Sequence, residues 1–532
     1  MTLSILPFCV ALVALPAPCP PAPAPPAPRP KLVVVITVDQ LRPDYLDRWK
    51  SQLTGGLFQL VNEGAVFADG YQDHAVTETA PGHSTILSGL WPAHTGIIRN
   101  SQGVQDSTAP LLGVNGPGAS PRRVRGTSLF DWLKAVDPTS RALSVSRKDR
   151  GAILPIGHAK EQVYWYQSGL FTTSRYYADS LPRWVQTFNA RRLPFKAANA
   201  TWALLLPDSA YKEDDNEPWE NGGRDVLFPH RLPADSVRAA GAIAGTPMLD
   251  SLTLLFALDG LEALRLGRRG TDILAVSLSS TDAVGHTYGP DSREIHDQVL
   301  RLDRYLAWFL KRVTDKVGRD NVVVVLTADH GVTSFPERTR ARTGAQAYRV
   351  SVDTIVAAVN RDLDRLAGAG TSREWLSFDT GMLFLQDNGR FAATGVKTDS
   401  ILDVVSARMR AVPGVGRVDR VADLPRADTA SDPVARRWIH HLAPDAGVVL
   451  VVTLLPGSVW GIENAPIAMH GQPSEDDSHV PIIFWGRGVK RGVYRGRANT
   501  VDIAPTLGRL LGVTPLSLID GRVLTDALAP RN

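Results

Sequence analysis

The sequence predicts an α/β fold with a mainly parallel central sheet flanked by helices, carrying two insertions that form a cap. Three observations support this. Continuous apolar runs recur at 31–40 (KLVVVITVDQ), 272–281 (DILAVSLSST), 321–329 (NVVVVLTAD) and 480–486 (VPIIFWG). Such runs mark strands buried on both faces of a parallel sheet. The segments between them have helical periodicity, as in EIHDQVLRLDRYLAWFLKRV at 294–313, and alternation of the two patterns is the signature of an α/β sheet. Finally, two long stretches between core strands lack that rhythm, which is where such a sheet grows elements over its ligand site.

The chain begins with MTLSILPFCVALVAL and then PAPCPPAPAPPAPRP. The apolar run is short for a bilayer span and suits a signal peptide, although no Lys or Arg precedes it. The prolines after it form a stiff spacer. Residues 1–30 are therefore expected to be leader and spacer, directing the protein to the periplasm or the medium. Both cysteines, Cys9 and Cys19, lie there, so the mature chain has no disulfide framework and no thiolate metal site.

From Lys31 onward the predicted organisation is a core at 31–145, a Lys/Arg element and first insertion at 146–250, core again at 251–340, a second insertion at 341–449, and a last core segment at 450–532. With 532 residues, 44% of them hydrophobic, the chain can bury a large core. Its 58 basic and 54 acidic residues nearly balance, so charge indicates no nucleic-acid partner. No second run is long enough for stable membrane insertion.

The strand ends carry the chemistry. The first run ends at Asp39. The second leads into Thr281-Asp282 and His286, and the third into Asp329-His330-Gly331. Ligands of open α/β sheets bind at the carboxyl ends of the strands. His and Asp with open coordination positions suit zinc. Asp282 and His286, spaced i,i+4, can meet one ion from one helical turn. Asp329 and His330 can reach the same ion or two neighbouring ones. His470, in MHGQPSEDDSHVPIIFWG, supplies a further ligand, with His479 as its competitor.

The stretch TETAPGHSTILSGLWPAHTGIIRN at 77–100 opens on Thr79, just before Pro81 and an apolar helical face. Thr79 is expected to cap this helix. A helix N-terminus, with free N–H groups and a positive dipole end, is also a site for an anion. A hydroxyl held there against a metal can serve as a nucleophile.

With VDQLRPDYL, SSTDAVGHTYGP, TADHG and HGQPSEDDSHVPIIFWG, this stretch makes the chain resemble the alkaline phosphatase superfamily on its type I phosphodiesterase and nucleotide pyrophosphatase side. The resemblance spans nearly all of the mature chain in the same motif order. SRKDRGAILPIGH at 146–158 makes it most similar to the phosphate-irrepressible alkaline phosphatases with a threonine nucleophile. The resemblance implies an alkaline-phosphatase-like fold and a phosphothreonine intermediate on Thr79. It implies two zinc ions, one held by Asp39, Thr79, Asp329 and His330, the other by Asp282, His286 and His470. Lys148, Arg150 and Asn100 would contact phosphoryl oxygens, and the partners would be small phosphate esters. His83, His94 and His479 are expected to pack or support. The competing activity is a phosphodiesterase or nucleotide pyrophosphatase. A sulfatase is disfavoured because TETAPGH lacks the Cys or Ser and the Arg of that motif.

Overall fold

In a computed structural model, residues 29–368, 374–386, 394–461 and 467–529 are described. The expected leader, including Cys9 and Cys19, lies outside them. At the centre is a nine-stranded mixed sheet, in the spatial order 492–494, 65–67, 482–486, 322–327, 32–38, 272–278, 142–146, 162–167, 170–172. The strand Leu32–Val38 sits in the middle, parallel to both Val322–Thr327 and Asp272–Leu278, and all three are buried along their whole length. Apolar side chains on both faces make this possible. One face packs under the long helices Met248–Leu264 and Arg293–Val317, the other under Leu129–Val136 and Ile503–Leu511.

Two expectations are corrected here. The run at 480–486 is a core strand, but Ile482–Gly486 is antiparallel to Val322–Thr327. A buried strand is apolar in either direction, so its composition does not reveal polarity. The direction matters, because an antiparallel strand presents its beginning where its parallel neighbours present their ends. In addition, Gln162–Gln167 lies in the stretch with few strand signals, yet it pairs parallel to Ala142–Ser146 and extends the main sheet. Its QVYWYQ sequence is aromatic rather than aliphatic, and aromatics also favour strands.

The remainder of the first insertion packs Val185, Phe188, Trp202 and Tyr211 into the core under the helical face. The second insertion runs past its expected end at 449: Val448–Leu454 belongs not to the core but to a separate four-stranded antiparallel sheet, ordered 376–379, 382–385, 448–454, 415–420, with helices Asp353–Leu366 and Thr398–Arg410 on its apolar side. Among the described residues, no single helix is long and apolar enough to cross a membrane.

The helix Thr79–Ile86 lies against the end of strand Val322–Thr327 so closely that a Cβ on Gly82 would run into the Asp329 carbonyl. Backbone cannot yield as a flexible side chain can. Gly82→Ala is therefore expected to destabilise the protein by about 1–3 kcal/mol and to reduce turnover, read by chemical denaturation and by initial rates. An unchanged midpoint would show that the helix docks more loosely than this.

Candidate active site and metal centre

Four parallel strands end at one edge of the sheet, and each delivers polar side chains there. Asp39 follows Leu32–Val38. Lys148 and Arg150 follow Ala142–Ser146. Asp282 and His286 lie on the helix Ser280–Tyr288 after Asp272–Leu278, and Asp329 and His330 follow Val322–Thr327. The reversed strand Ile482–Gly486 brings the segment before it, with His470, to the same edge.

Two clusters form. In one, the Asp282 Oδ1 stands 3.3 Å from His286 Nε2 and 3.5 Å from His470 Nε2. The Nδ1 of His286 faces the Ala468 carbonyl at 2.6 Å, and that of His470 faces the Thr77 carbonyl at 2.7 Å. Each carbonyl accepts an N–H, which fixes the tautomer with an Nε2 lone pair. The two Nε2 atoms are 3.1 Å apart beside a carboxylate. Two lone pairs at that distance call for a cation between them. In the other cluster, Asp39, His83 and Asp329 are mutually close. His330 turns its Nδ1 to the Gly331 carbonyl at 2.9 Å and leaves Nε2 3.4 Å from Asp329 Oδ2. His330 Nε2, His83 Nε2 and Asp329 Oδ2 are buried without a hydrogen-bond partner. The donor set, Asp and neutral His with orphaned atoms converging, fits divalent cations.

Of the expected residues, Asp282, His286 and His470 come together, as do Asp39 and Asp329, with His330 beside Asp329. His479 joins neither cluster. It stacks on Tyr71 and faces the Ala68 carbonyl at 3.1 Å. His94 is at the surface, 2.8 Å from Asp520. His83 is buried against two of the expected ligands, a supporting place. It lies i+4 from Thr79 on the same helix face, 3.3 Å from Asp329 Oδ2 and 3.6 Å from Asp39 Oδ1. That spacing was available in TAPGH as a Thr-His pair on one helical stripe.

Thr79 is the first residue of its helix, not the cap. Glu78 holds the cap position, with extended backbone. The free N–H groups expected at this terminus are also largely spent, because Pro81 has none and Ala80 donates to Asn100 Oδ1 at 2.8 Å. That bond orients the Asn100 amide, leaving its NH₂ to donate elsewhere. Glu78 accepts the Asn100 backbone N–H through Oε2 at 2.7 Å and the Thr380 hydroxyl through Oε1 at 3.1 Å.

Lys148 is central. Its Nζ lies 3.0 Å from Thr79 Oγ1, 2.7 Å from Asp282 Oδ2 and 2.9 Å from Asp39 Oδ2. Burial would lower its pKa, but Asp282 and then Asp39 outweigh burial and hold it above the ordinary lysine value. Burial would raise Asp282, yet the Lys148 ammonium holds it well below the carboxylate range. Burial presses His330 well below the usual imidazole range, keeping it neutral.

Gln40, next to Asp39, is a functional residue that no motif of the sequence marks. Its backbone N–H donates to Asp329 Oδ1 at 3.1 Å, and its Nε2 donates to Asp282 Oδ1 at 3.0 Å. It thus ties one carboxylate of each cluster, from a left-handed backbone with φ 65°. A non-glycine residue there stores about 1–3 kcal/mol of strain, which the surroundings must enforce. Glu78, Arg147, Thr380, Trp460 and Met469 complete the cleft around Thr79, Asn100, Lys148 and Arg150, with a volume of about 280 Å³.

A model of the type I phosphodiesterase / nucleotide pyrophosphatase family matches residues 33–358. The chain belongs to that family. Within it, this phosphodiesterase-family chain is 34% identical to alkaline phosphatase PhoV of Synechococcus elongatus, over 94% of its own length and 93% of the relative's. It is 32% identical to alkaline phosphatase PafA of Elizabethkingia meningoseptica, covering 94% of each. The crystal structure of PafA superposes with a TM-score of 0.87 at 31% identity, covering 94% of this chain and 100% of that one. Murine ectonucleotide pyrophosphatase / phosphodiesterase 5, at 15% identity and a TM-score of 0.54, shares the fold.

Gln40→Ala removes the bond to Asp282 and is expected to weaken metal retention at the Asp282–His286–His470 cluster by roughly 10–100-fold. Metal content after graded chelator dialysis measures this. Retention equal to that of the parent chain would dismiss the bridging role.

Proposed function

We propose that this chain is a metal-dependent phosphomonoesterase, a hydrolase of small phosphate esters, with Thr79 as nucleophile and two zinc ions as its metals. Asp282, His286 and His470 would hold one ion. Asp39, Asp329, His330 and Thr79 would hold the other, with His83 in contact with its two carboxylates. The single observation that carries the monoesterase reading is the Lys148 ammonium 3.0 Å from the Thr79 hydroxyl. The relatives named alkaline phosphatase, similar over nearly the whole chain, support it.

The cations would lower the pKa of the Thr79 hydroxyl and offset negative charge on the entering and leaving oxygens. Thr79 Oγ1 bonds to phosphorus as the ester P–O bond breaks, and the leaving alcohol takes up a proton. A phosphothreonine results. Water then attacks its phosphorus, Thr79 recovers its hydroxyl and inorganic phosphate departs. Throughout, Lys148 and Arg150 donate to non-bridging oxygens, and the Asn100 NH₂, freed by the Ala80 bond, donates to another. A monoester dianion has three such oxygens and a diester two, so this grip favours the monoester. In phosphoryl transfer such positioning and charge stabilisation supply most of the catalysis.

We also infer export to the periplasm or medium, supported by the apolar and proline-rich residues 1–30; amino-terminal sequencing of the mature protein checks it.

The substrate test pairs p-nitrophenyl phosphate with bis-p-nitrophenyl phosphate, after dialysis and zinc addition. The monoester should turn over faster, and metal removal should abolish both activities. A faster diester would instead support the phosphodiesterase or nucleotide pyrophosphatase reading. Replacing both Lys148 and Arg150 with Ala should cost the monoester about 10²-fold or more in kcat/KM and the diester much less. An equal loss on both would remove these side chains from substrate choice. Thr79→Ala should keep the metals and lose activity, with metal analysis and rates read on the same sample; full activity would remove Thr79 as nucleophile.

A further inference from the structure

Thr380 stands at a tip of the second insertion, where the chain turns between the paired strands Leu376–Asp379 and Met382–Leu385. The turn has two residues, Thr380 with φ 42° and Gly381 with φ 83°. Two positive φ values in a two-residue hairpin turn favour Asn, Asp and Gly, and a β-branched side chain is strained there. Among the described residues, Thr380 is the one β-branched side chain on such a backbone. Such strain persists where the surroundings enforce it, and it clusters at functional sites.

The surroundings of Thr380 are the cleft, which it lines with Thr79, Asn100 and Lys148. Its hydroxyl lies 3.1 Å from Glu78 Oε1 and 3.0 Å from Asp379 Oδ1, one proton between two carboxylates. Its methyl covers Gly471, next to His470, so closely that a Cβ on Gly471 would lie 2.9 Å from it. Glu78 in turn accepts the Asn100 backbone N–H. The Asn100 carbonyl accepts from the Gln105 amide at 3.1 Å and the Gly103 N–H at 3.2 Å, and its Oδ1 accepts from Ala80. Asp379 Oδ2 accepts from Arg99 and Ser101, the residues on either side. Of the polar groups on Asn100, the NH₂ alone has no partner among the described residues.

We propose that Thr380 is a positioning residue. By holding Glu78 and, with Asp379, the segment Arg99–Ser101, the hairpin tip aims the Asn100 NH₂ at a non-bridging phosphoryl oxygen and so sets the preference for monoesters. The inference rests on the phosphomonoesterase function proposed above. The strained side chain is kept for its hydroxyl and not for the turn, which Gly would make more easily.

The test measures Tm, and kcat/KM for p-nitrophenyl phosphate and bis-p-nitrophenyl phosphate, on the zinc-loaded full chain. Thr380→Gly should keep or raise Tm and cut monoester kcat/KM by about 10–100-fold, with a much smaller loss on the diester. Thr380→Ser keeps the hydroxyl and should retain most of the monoester rate. In an Asn100→Ala chain, Thr380→Gly should cost the monoester little more, because residues that act through one group are not additive. Unchanged monoester turnover in Thr380→Gly overturns the inference. An equal loss on both substrates does the same, as does a full further loss in the Asn100→Ala chain. If Thr380→Gly does not fold, Thr380→Val removes the hydroxyl while keeping the shape and is read by the same rates. Undiminished monoester turnover in Asn100→Ala would instead remove the phosphate contact of the proposed function, and this inference with it.

Discussion

The structure depends on one electrostatic constraint: three aspartates, Asp39, Asp282 and Asp329, are buried together at one edge of a sheet. Taking a carboxylate out of water costs several kcal/mol unless it is paired and hydrogen-bonded. Lys148 reaches two of them, and Ser277 and Ser279 donate to Asp39 at 3.0 and 2.8 Å. Even so, Asp329 Oδ2 and two imidazole nitrogens stay unsatisfied. The edge is thus built to be completed by positive charge. The tautomers follow the same demand. His286, His330 and His470 each turn Nδ1 to a backbone carbonyl, so that Nε2 is left for the site.

Topology explains how so many ligands converge. Parallel strands bring their carboxyl ends to one edge, which accounts for Asp39, Lys148, Asp282 and Asp329. His470 comes from a segment that precedes its strand, and it reaches this edge directly because that strand runs the other way. The antiparallel pairing of Ile482–Gly486 is therefore part of the ligand set and not a decoration of the sheet edge.

Much of this was legible in the sequence, because buried parallel strands are written as aliphatic runs and their ends as Asp and His. The i,i+4 spacing of Asp282 and His286 fixed their common face in advance. What was not legible depended on contacts between distant segments. Gln40 bridges two clusters only because residues 282 and 329 arrive on either side of it. His83 lies i+4 from Thr79, but which carboxylates it supports depends on residues 39 and 329 arriving beside it. Thr79 looked like a cap because Thr often is one, whereas Glu78 takes that position and uses its carboxylate to reach across to the second insertion. The strand at 162–167 was hidden by aromatic composition, and the direction of the strand at 482–486 by the symmetry of a fully apolar run.

The reach of Glu78 bears on how this family separates its substrates. Glu78 holds the Asn100 backbone on one side and Thr380 of the second insertion on the other. Arg99 and Ser101 meet Asp379 at 3.2 and 2.8 Å, and the Arg99 guanidinium lies over the Phe384 ring. Asn100 is thereby clamped by the insertion, which shapes the cleft as well as its entrance. Lys148 and Arg150 come from the end of another strand, although the Lys148 ammonium pairs with one carboxylate of each cluster. On the proposed function, discrimination between one ester and two would fall to groups that count non-bridging oxygens, namely Lys148, Arg150 and Asn100, and to the insertion that fixes the last of them. Substrate choice could then change through one strand end and one clamp.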